Sequence, residues 1–101
     1  MKYQLFISDK ANGQIKNHII FVSNVSKEAG KKLNQEFQHS IKTIAKDPAI
    51  YPFFDGQYIP YSKYHKYVVT KRYIILYQII NDTVYVDYVI DTRTDYQWLV
   101  R

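Results

Sequence analysis

Apolar and polar residues follow two different periods along this chain. Between residues 11 and 44, two apolar stripes recur at helical spacing, separated by the polar segment 23–26. Ser26 is a suitable N-cap for the second helix, and Pro48 ends it. The stripes are Ala11, Ile15, Ile19 and Val22, then Leu33, Phe37, Ile41 and Ile44. We expect two antiparallel helices, because only a short connection joins them.

Outside the helices the pattern alternates with a period of two, which is typical of strands. We expect a short strand at 2–8 and three more at about 63–70, 72–80 and 83–92, the last two joined by a hairpin turn at 81–82. The order strand, helix, helix, strand, strand, strand predicts an α+β fold. In it, two antiparallel helices pack on a small, largely antiparallel sheet.

The alternation also predicts which strand residues face the helices. The helix-facing sets are Tyr73, Ile75, Tyr77 and Ile79 in the middle strand of the last three, and Val84, Val86, Tyr88 and Ile90 in the last strand. The opposite face carries Gln78 and Asp87 beside Ile74, so we expect it to be at least partly open. Residues 48–62 form a loop rich in Tyr and Phe. Its rings should fold onto the body, and the alternative is that they line a binding surface.

Composition restricts the kind of protein. The chain has no cysteine, which excludes disulfides and thiolate metal sites. It begins without the apolar region of a signal peptide, and no apolar run approaches the ~20 residues that span a bilayer. We expect residues 1–101 to form a single domain of a soluble cytoplasmic protein with no membrane partner. The net charge of +5 favours an anionic partner, such as nucleic acid or an acidic protein segment.

The cations concentrate before the middle strand, where residues 63–72 hold four Lys or Arg and one His but no acid. Metal-independent RNA cleavage needs a general base, cations for the phosphorane charge and a general acid. The candidate catalytic residues are His65 for a proton role, Lys66, Arg72 and Arg93 as cations, and Tyr96 for stacking or proton donation. The residues alone favour a simpler interpretation, in which these cations only solvate a sheet face.

Metal and cofactor sites find no support in the sequence. The three histidines belong to no ligand spacing, and the three glycines are too far apart for a phosphate loop. We therefore expect no cofactor and no metal, and we interpret His18 and His39 as helix-surface residues.

The C-terminal half resembles the RelE/ParE superfamily, the toxins of bacterial type II toxin–antitoxin modules. The matching parts are KYVV at 66–69, RYIILYQI at 72–79, NDTVYV at 81–86 and VIDTRTDY at 89–96. The helical segment 26–48 is similar to the second helix of the ParE branch. The resemblance covers nearly the whole chain in order of elements, and it implies two helices on an antiparallel sheet.

The resemblance implies one of two activities. RelE-like members cut mRNA in the ribosomal A site with basic sheet residues, whereas ParE-like members poison DNA gyrase and need no nuclease site. Lys66, Arg93 and Tyr96 match or lie near the family's functional positions. This chain departs from the nuclease pattern at Ile74, where RelE-like members carry a catalytic Arg. We expect Arg72 to lie on the same face as Ile74, where it could substitute.

Three hypotheses follow from the resemblance. The first is a growth-inhibiting toxin that cuts mRNA on the ribosome. The second is a gyrase poison, and the third is a degenerate member that only binds its antitoxin and operator DNA. In each, a cognate antitoxin is expected to bind through an acidic or amphipathic segment that covers the basic face or the helices.

Overall fold

The computed structural model describes residues 3–56 and 60–93. The elements are strand β1 (Gln4–Ile7), helices α1 (Asp9–Val25) and α2 (Lys27–Lys46), a short 3-10 helix (Pro48–Ile50), and strands β2 (His65–Val69), β3 (Tyr73–Ile80) and β4 (Thr83–Asp91). The sheet order is β1-β4-β3-β2, with β1 parallel to β4 and the other neighbours antiparallel. The predicted α+β fold and its order of elements are confirmed.

The two helices form a hairpin with a single residue between them. The Ser26 N–H donates to Val22 O at 3.0 Å, while its Oγ accepts from Ala29 N–H at 3.2 Å, so one residue ends α1 and caps α2. Gly30 is buried at their contact, where a Cβ would stand 1.8 Å from Ser23 Oγ. The polar segment 23–26 was expected to break the helix, but α1 continues to Val25, and Ser23 lies at the contact with Gly30.

The sheet has two different faces. The inner face packs on the helices and builds the main core, and both predicted helical stripes contribute to it. Its fully or nearly buried residues include Ile15, Leu33, Phe37, Ile44, Tyr73, Ile75, Tyr77, Val84, Val86 and Val89. The outer face carries a second, smaller cluster of Phe54, Tyr64, Ile74, Leu76 and Ile90, with Tyr88 packed against it. Two of the described rings of the aromatic loop therefore fold onto the body, as the sequence predicted: Tyr51 packs on the main core, and Phe54 covers part of the outer face.

A β-bulge in β4 changes which residues face the helices. Leu76 pairs with Tyr88 and Tyr77 pairs with Val86, so Asp87 is an extra residue in the strand. The prediction that Tyr88 and Ile90 face the helices is wrong: both lie on the outer face. Strict alternation fails because the extra residue shifts the pattern by one position.

Long-range hydrogen bonds hold the bulge in place. The Ser8 N–H donates to Val86 O at 2.9 Å, and the Ser8 hydroxyl donates to Asp87 O at 3.2 Å. The Val89 N–H donates to Gln14 Oε1 at 2.7 Å. These partners lie more than 70 residues away in the chain, so local sequence patterns carry no signal for the bulge.

Candidate functional site

The basic segment does not form one patch, because strand β2 sends its side chains alternately to the two faces. His65 pairs with Tyr77 on the inner face, and Lys66 pairs with Leu76 on the outer face. Lys66 is half-buried, and its N–H donates to Pro52 O at 2.9 Å. The two adjacent candidates of the predicted catalytic set therefore lie on opposite sides of the sheet.

The His65 ring is held in place on the inner side. Its Nδ1 lies 2.7 Å from Tyr51 O, and a carbonyl can only accept, so Nδ1 carries the proton. The ring stacks on Tyr77, with centroids 5.4 Å apart, and packs against Phe53 at 4.3 Å. This leaves Nε2 as the ring nitrogen for contact with a ligand.

Arg72 and Arg93 meet at the far end of β3 and β4 on either side of Asp91. Arg72 Nε lies 3.9 Å from Asp91 Oδ2, and Arg93 Nε lies 3.6 Å from Asp91 Oδ1. The Arg93 backbone N–H also donates to Asp91 Oδ1 at 2.8 Å. The Asp91 side chain is 8% exposed, whereas that of Arg93 is 55% exposed. One buried carboxylate thus positions two cations, and we call this group the arginine end.

Arg72 is on the helix side of the sheet, which corrects the expectation that it shares a face with Ile74. Its guanidinium lies over the Tyr73 ring, 5.4 Å from the centroid. It also lines a shallow cleft of about 390 Å³ together with Leu33 and Glu36 of α2. The side chain turns inward because Asp91 and the Tyr73 ring attract it there. Its Nε is buried and has no hydrogen-bond partner among the described residues.

His18 lies beside the arginine end, although the sequence indicated a helix-surface residue. Its Nε2–H donates to Val89 O at 2.9 Å, and its ring packs 4.8 Å from that of Tyr73. It lines a cleft of about 200 Å³ with Asn17, Phe21, Tyr73, Asp91 and Arg93. The sequence did contain a signal for this inward position: His18 follows Ile15 by three residues and so lies on the apolar stripe of α1. His39 is exposed on α2, as expected.

Burial raises the pKa of two tyrosines, Tyr73 beside the arginine end and Tyr64 on the outer face. Burial raises the pKa of Tyr73, the Arg72 charge lowers it, and Asp91 raises it, with a net increase. Burial also raises the pKa of Tyr64, and Asp87 adds to the increase by its charge and a hydrogen bond. Tyr64 is 6% exposed, so its ring face is not available for stacking on a base.

The structure thus brings Arg72 and Arg93 together, and it separates His65 and Lys66 from them. His65 pairs with Tyr77, four residues along β3 from Tyr73, which puts it about 13 Å from the arginine end along the strand. Lys66 lies on the other face. Tyr96 lies outside the described residues.

Ile74, at the position where RelE-like nucleases carry a catalytic arginine, is buried and inaccessible to a ligand. Ile74 is 7% exposed and packs with Phe54, Tyr64, Leu76 and Ile90 in the outer cluster. The outer face is partly open, as expected, at the half that contains Gln78 and Ile80 and at Val68 of β2, the 51% exposed register partner of Ile74.

Two other kinds of site can be assessed over residues 3–56 and 60–93. No group of three or more His, Asp or Glu side chains within these ranges lies close enough together to hold a metal ion. Neither helix there has the length and apolar character needed to cross a membrane.

Comparisons with known proteins agree with the fold. Residues 5–96 match the family model described as the ParE toxin of type II toxin–antitoxin system, parDE. The structure is similar to one described as the chromosomal ParDE TA system from P. aeruginosa, with a TM-score of 0.73 and 10% sequence identity, covering 89% of this chain and 96% of that chain. No curated protein sequence matches significantly. At 10% identity the structural match supports the fold alone, but the family model spans most of the chain. The chain therefore belongs to the ParE toxin family and is the toxin component of a type II toxin–antitoxin system.

Proposed function

We propose that this toxin is a gyrase poison, which acts by binding its target rather than by cutting mRNA. The observation that carries the proposal is the environment of Ile74. An arginine at this position would need contact with a scissile phosphate, but the side chain lies beneath Phe54 and Tyr64 in a closed apolar cluster. An apolar side chain cannot stabilise the charge of a phosphorane.

The distribution of the remaining candidates supports the same proposal. Acid–base catalysis needs the proton donor, the acceptor and the charge-stabilising cations within hydrogen-bond reach of one phosphate. His65 and Lys66 point to opposite faces, and both arginines are paired with Asp91 some distance away. A protein that works by binding does not need these groups to converge.

The decisive experiment measures both targets in parallel. Purified gyrase should lose supercoiling activity or accumulate cleaved DNA when the toxin is added, and mRNA in arrested cells should remain intact. Cut mRNA that becomes intact with Arg93→Ala would instead support ribosome-dependent cleavage, with Lys66→Ala and His65→Ala testing the other candidates. Lys42→Ala, at an exposed position on α2, is the matched control for loss of a cation. Normal growth without the antitoxin would favour a degenerate member.

We further propose that the antitoxin covers α1 rather than the basic segment. Near its C-terminal end, α1 exposes Ile20, Phe21 and Val25, which are 51%, 62% and 86% accessible. Phe21 also borders the cleft that contains Arg93, so apolar and cationic groups lie side by side. Such a surface fits an amphipathic segment with an acidic residue. Phe21→Asp should abolish co-purification with the protein encoded beside the toxin gene, whereas Phe6→Asp, on the sheet and 56% exposed, should not.

A further inference from the structure

We propose that the outer face of the sheet carries a binding site for single-stranded DNA. Phe6 and Tyr85 would stack on bases, and three lysines, Lys10, Lys63 and Lys66, would contact phosphates. This surface, which we call the aromatic platform, lies on the opposite side of the sheet from the arginine end. The binding test below uses the purified chain without gyrase, so its outcome is independent of the gyrase proposal.

The first observation is a pair of exposed rings on neighbouring strands. Phe6 of β1 and Tyr85 of β4 are register partners, and their rings stack with centroids 6.0 Å apart and planes inclined by 21°. Phe6 is 56% exposed and Tyr85 is 37% exposed. Alternating positions Leu5 and Ile7 pack into the main core. The rings of the pair add little to that core, yet they place two nearly parallel aromatic surfaces in solvent.

The second observation is that three lysines lie on the same face, two of them at the neighbouring rings of Tyr88 and Tyr64 and the third on β2. Lys10 Nζ lies 5.1 Å from the centroid of the Tyr88 ring, and Lys63 Nζ lies 5.5 Å from that of Tyr64. Lys66 points to this face from β2, two strands from β4 and therefore about 10 Å away. These cation–π contacts leave the ammonium groups at the surface, where they can meet phosphates.

Asp87, the acid at the bulge of β4, is already engaged in hydrogen bonds. Asp87 Oδ2 accepts a hydrogen bond from Gln78 Nε2 at 2.7 Å, and Asp87 is also hydrogen-bonded to the Tyr64 side chain. Its charge is therefore spread over two neutral donors of the sheet. The three lysines give the platform cations that complement a chain of phosphates, and the exposed rings, which an acidic protein segment would not require, favour unpaired bases.

The chemistry of the platform selects the form of nucleic acid. A duplex hides its base faces, so ring stacking requires unpaired bases. Ile80 lies half-exposed on the same half of the face and offers an aliphatic contact for the methyl group of thymine. Gln78, the amide beside Tyr85, donates one Nε2–H to Asp87, so the thymine methyl contact, which uracil lacks, is the feature that favours DNA over RNA. We therefore assign the platform to DNA and expect thymine-rich strands to bind best.

The test is fluorescence anisotropy with a labelled oligo(dT) strand and the purified chain, without gyrase or antitoxin. Phe6→Ala and Tyr85→Ala should each weaken binding by about 5- to 150-fold, which corresponds to the loss of one stacked base. Phe21→Ala is the matched control, because this ring is 62% exposed on α1, and it should leave binding unchanged. All three positions are exposed, so circular dichroism should show folded variants.

A salt titration tests the lysines. Each of Lys10→Gln, Lys63→Gln and Lys66→Gln should reduce the slope of log K against log salt by about 0.7, the value for one phosphate contact in a single strand. Lys31→Gln and Lys42→Gln, on the exposed side of α2, should not change it.

Several results would overturn the proposal. Oligo(dT) binding that Phe6→Ala and Tyr85→Ala leave intact would place the DNA elsewhere, as would an equal loss with Phe21→Ala. Tighter binding of oligo(U) would reject the assignment to DNA. Absence of binding at low salt would refute the DNA site. Self-association through these rings in sedimentation experiments would show that the face binds a second copy of the chain.

Discussion

The inner and outer faces of the sheet show how one strand set can serve two purposes. The inner face is covered by both helices and buries a continuous core, with Phe37, Ile75 and Tyr77 fully enclosed. The outer face is covered only in part, by Phe54 and Tyr64. The same strands therefore provide stability on one side and leave surface for recognition on the other.

The difference between the two faces of the sheet depends on the β-bulge at Asp87 more than on the residue types of the strands. Without the shift in β4, Tyr88 and Ile90 would point at the helices and Val89 would point outward. The bulge instead gives the outer face enough apolar area to hold the loop, and it brings Asp91 to the inner side, where the arginines meet. One extra residue thus determines both the small cluster and the arginine end.

The largest predicted effect compares a phenylalanine from each cluster. Phe37→Ala should lower the free energy of unfolding by about 3–5 kcal/mol, because the enclosed cavity cannot collapse. Phe54→Ala should cost only about 2 kcal/mol, since the covering loop can move into the space. Urea unfolding of both variants measures the comparison, and equal losses would show that the outer cluster is as rigid as the inner core.

An intermediate loss of stability is expected for the hydrogen bond that joins the inner core to the start of the aromatic loop. The Tyr77 hydroxyl donates to Pro48 O at 2.7 Å in a buried position. Tyr77→Phe should cost about 1–3 kcal/mol at neutral pH, because the carbonyl loses its partner. Ile75→Val, which leaves this bond intact, is the control, and thermal unfolding at pH 7 gives the difference.

Tyr77→Phe should also change how the free energy of unfolding depends on pH in alkaline solution. Burial, followed by the nearby Tyr51, Asp47 and Tyr67, raises the pKa of Tyr77 above its ordinary value of 10.0. Above pH 10 the unfolded chain loses this proton while the folded chain keeps it, so stability is full below pH 10 and falls as pH rises. Tyr77→Phe should make the fall shallower by up to about 1.4 kcal/mol per pH unit. An unchanged slope between pH 10 and 11 would contradict this assignment.

The smallest effect is predicted at the arginine end. The Arg93 side chain is 55% exposed, so its pair with Asp91 is screened by solvent. Arg93→Ala should change the free energy of unfolding by less than about 1 kcal/mol. A larger loss would mean that this pair supports the fold, and the mRNA test with Arg93→Ala would then need Arg93→Lys as its comparison.

Much of the fold was predictable because its signals are local. The stripe through Leu33, Phe37 and Ile44 and the alternation of Tyr73, Ile75 and Tyr77 both gave the correct buried faces. The site was less predictable, because its geometry depends on pairs distant in sequence. His18 meets Val89 across 71 positions, and Arg72, which lies in the turn before β3, pairs with Asp91 on the inner side.

By itself the sequence determined the order of elements, the two apolar stripes and the resemblance to the RelE/ParE toxins, since periodicity, caps and short motifs lie within single elements. Only the tertiary structure decided that Ile74 is enclosed, that His65 and Lys66 separate, and that Arg72 and Arg93 share Asp91. The physical reason is register: one bulged residue, fixed by hydrogen bonds from Ser8 and Gln14, determines which face every later side chain of β4 joins.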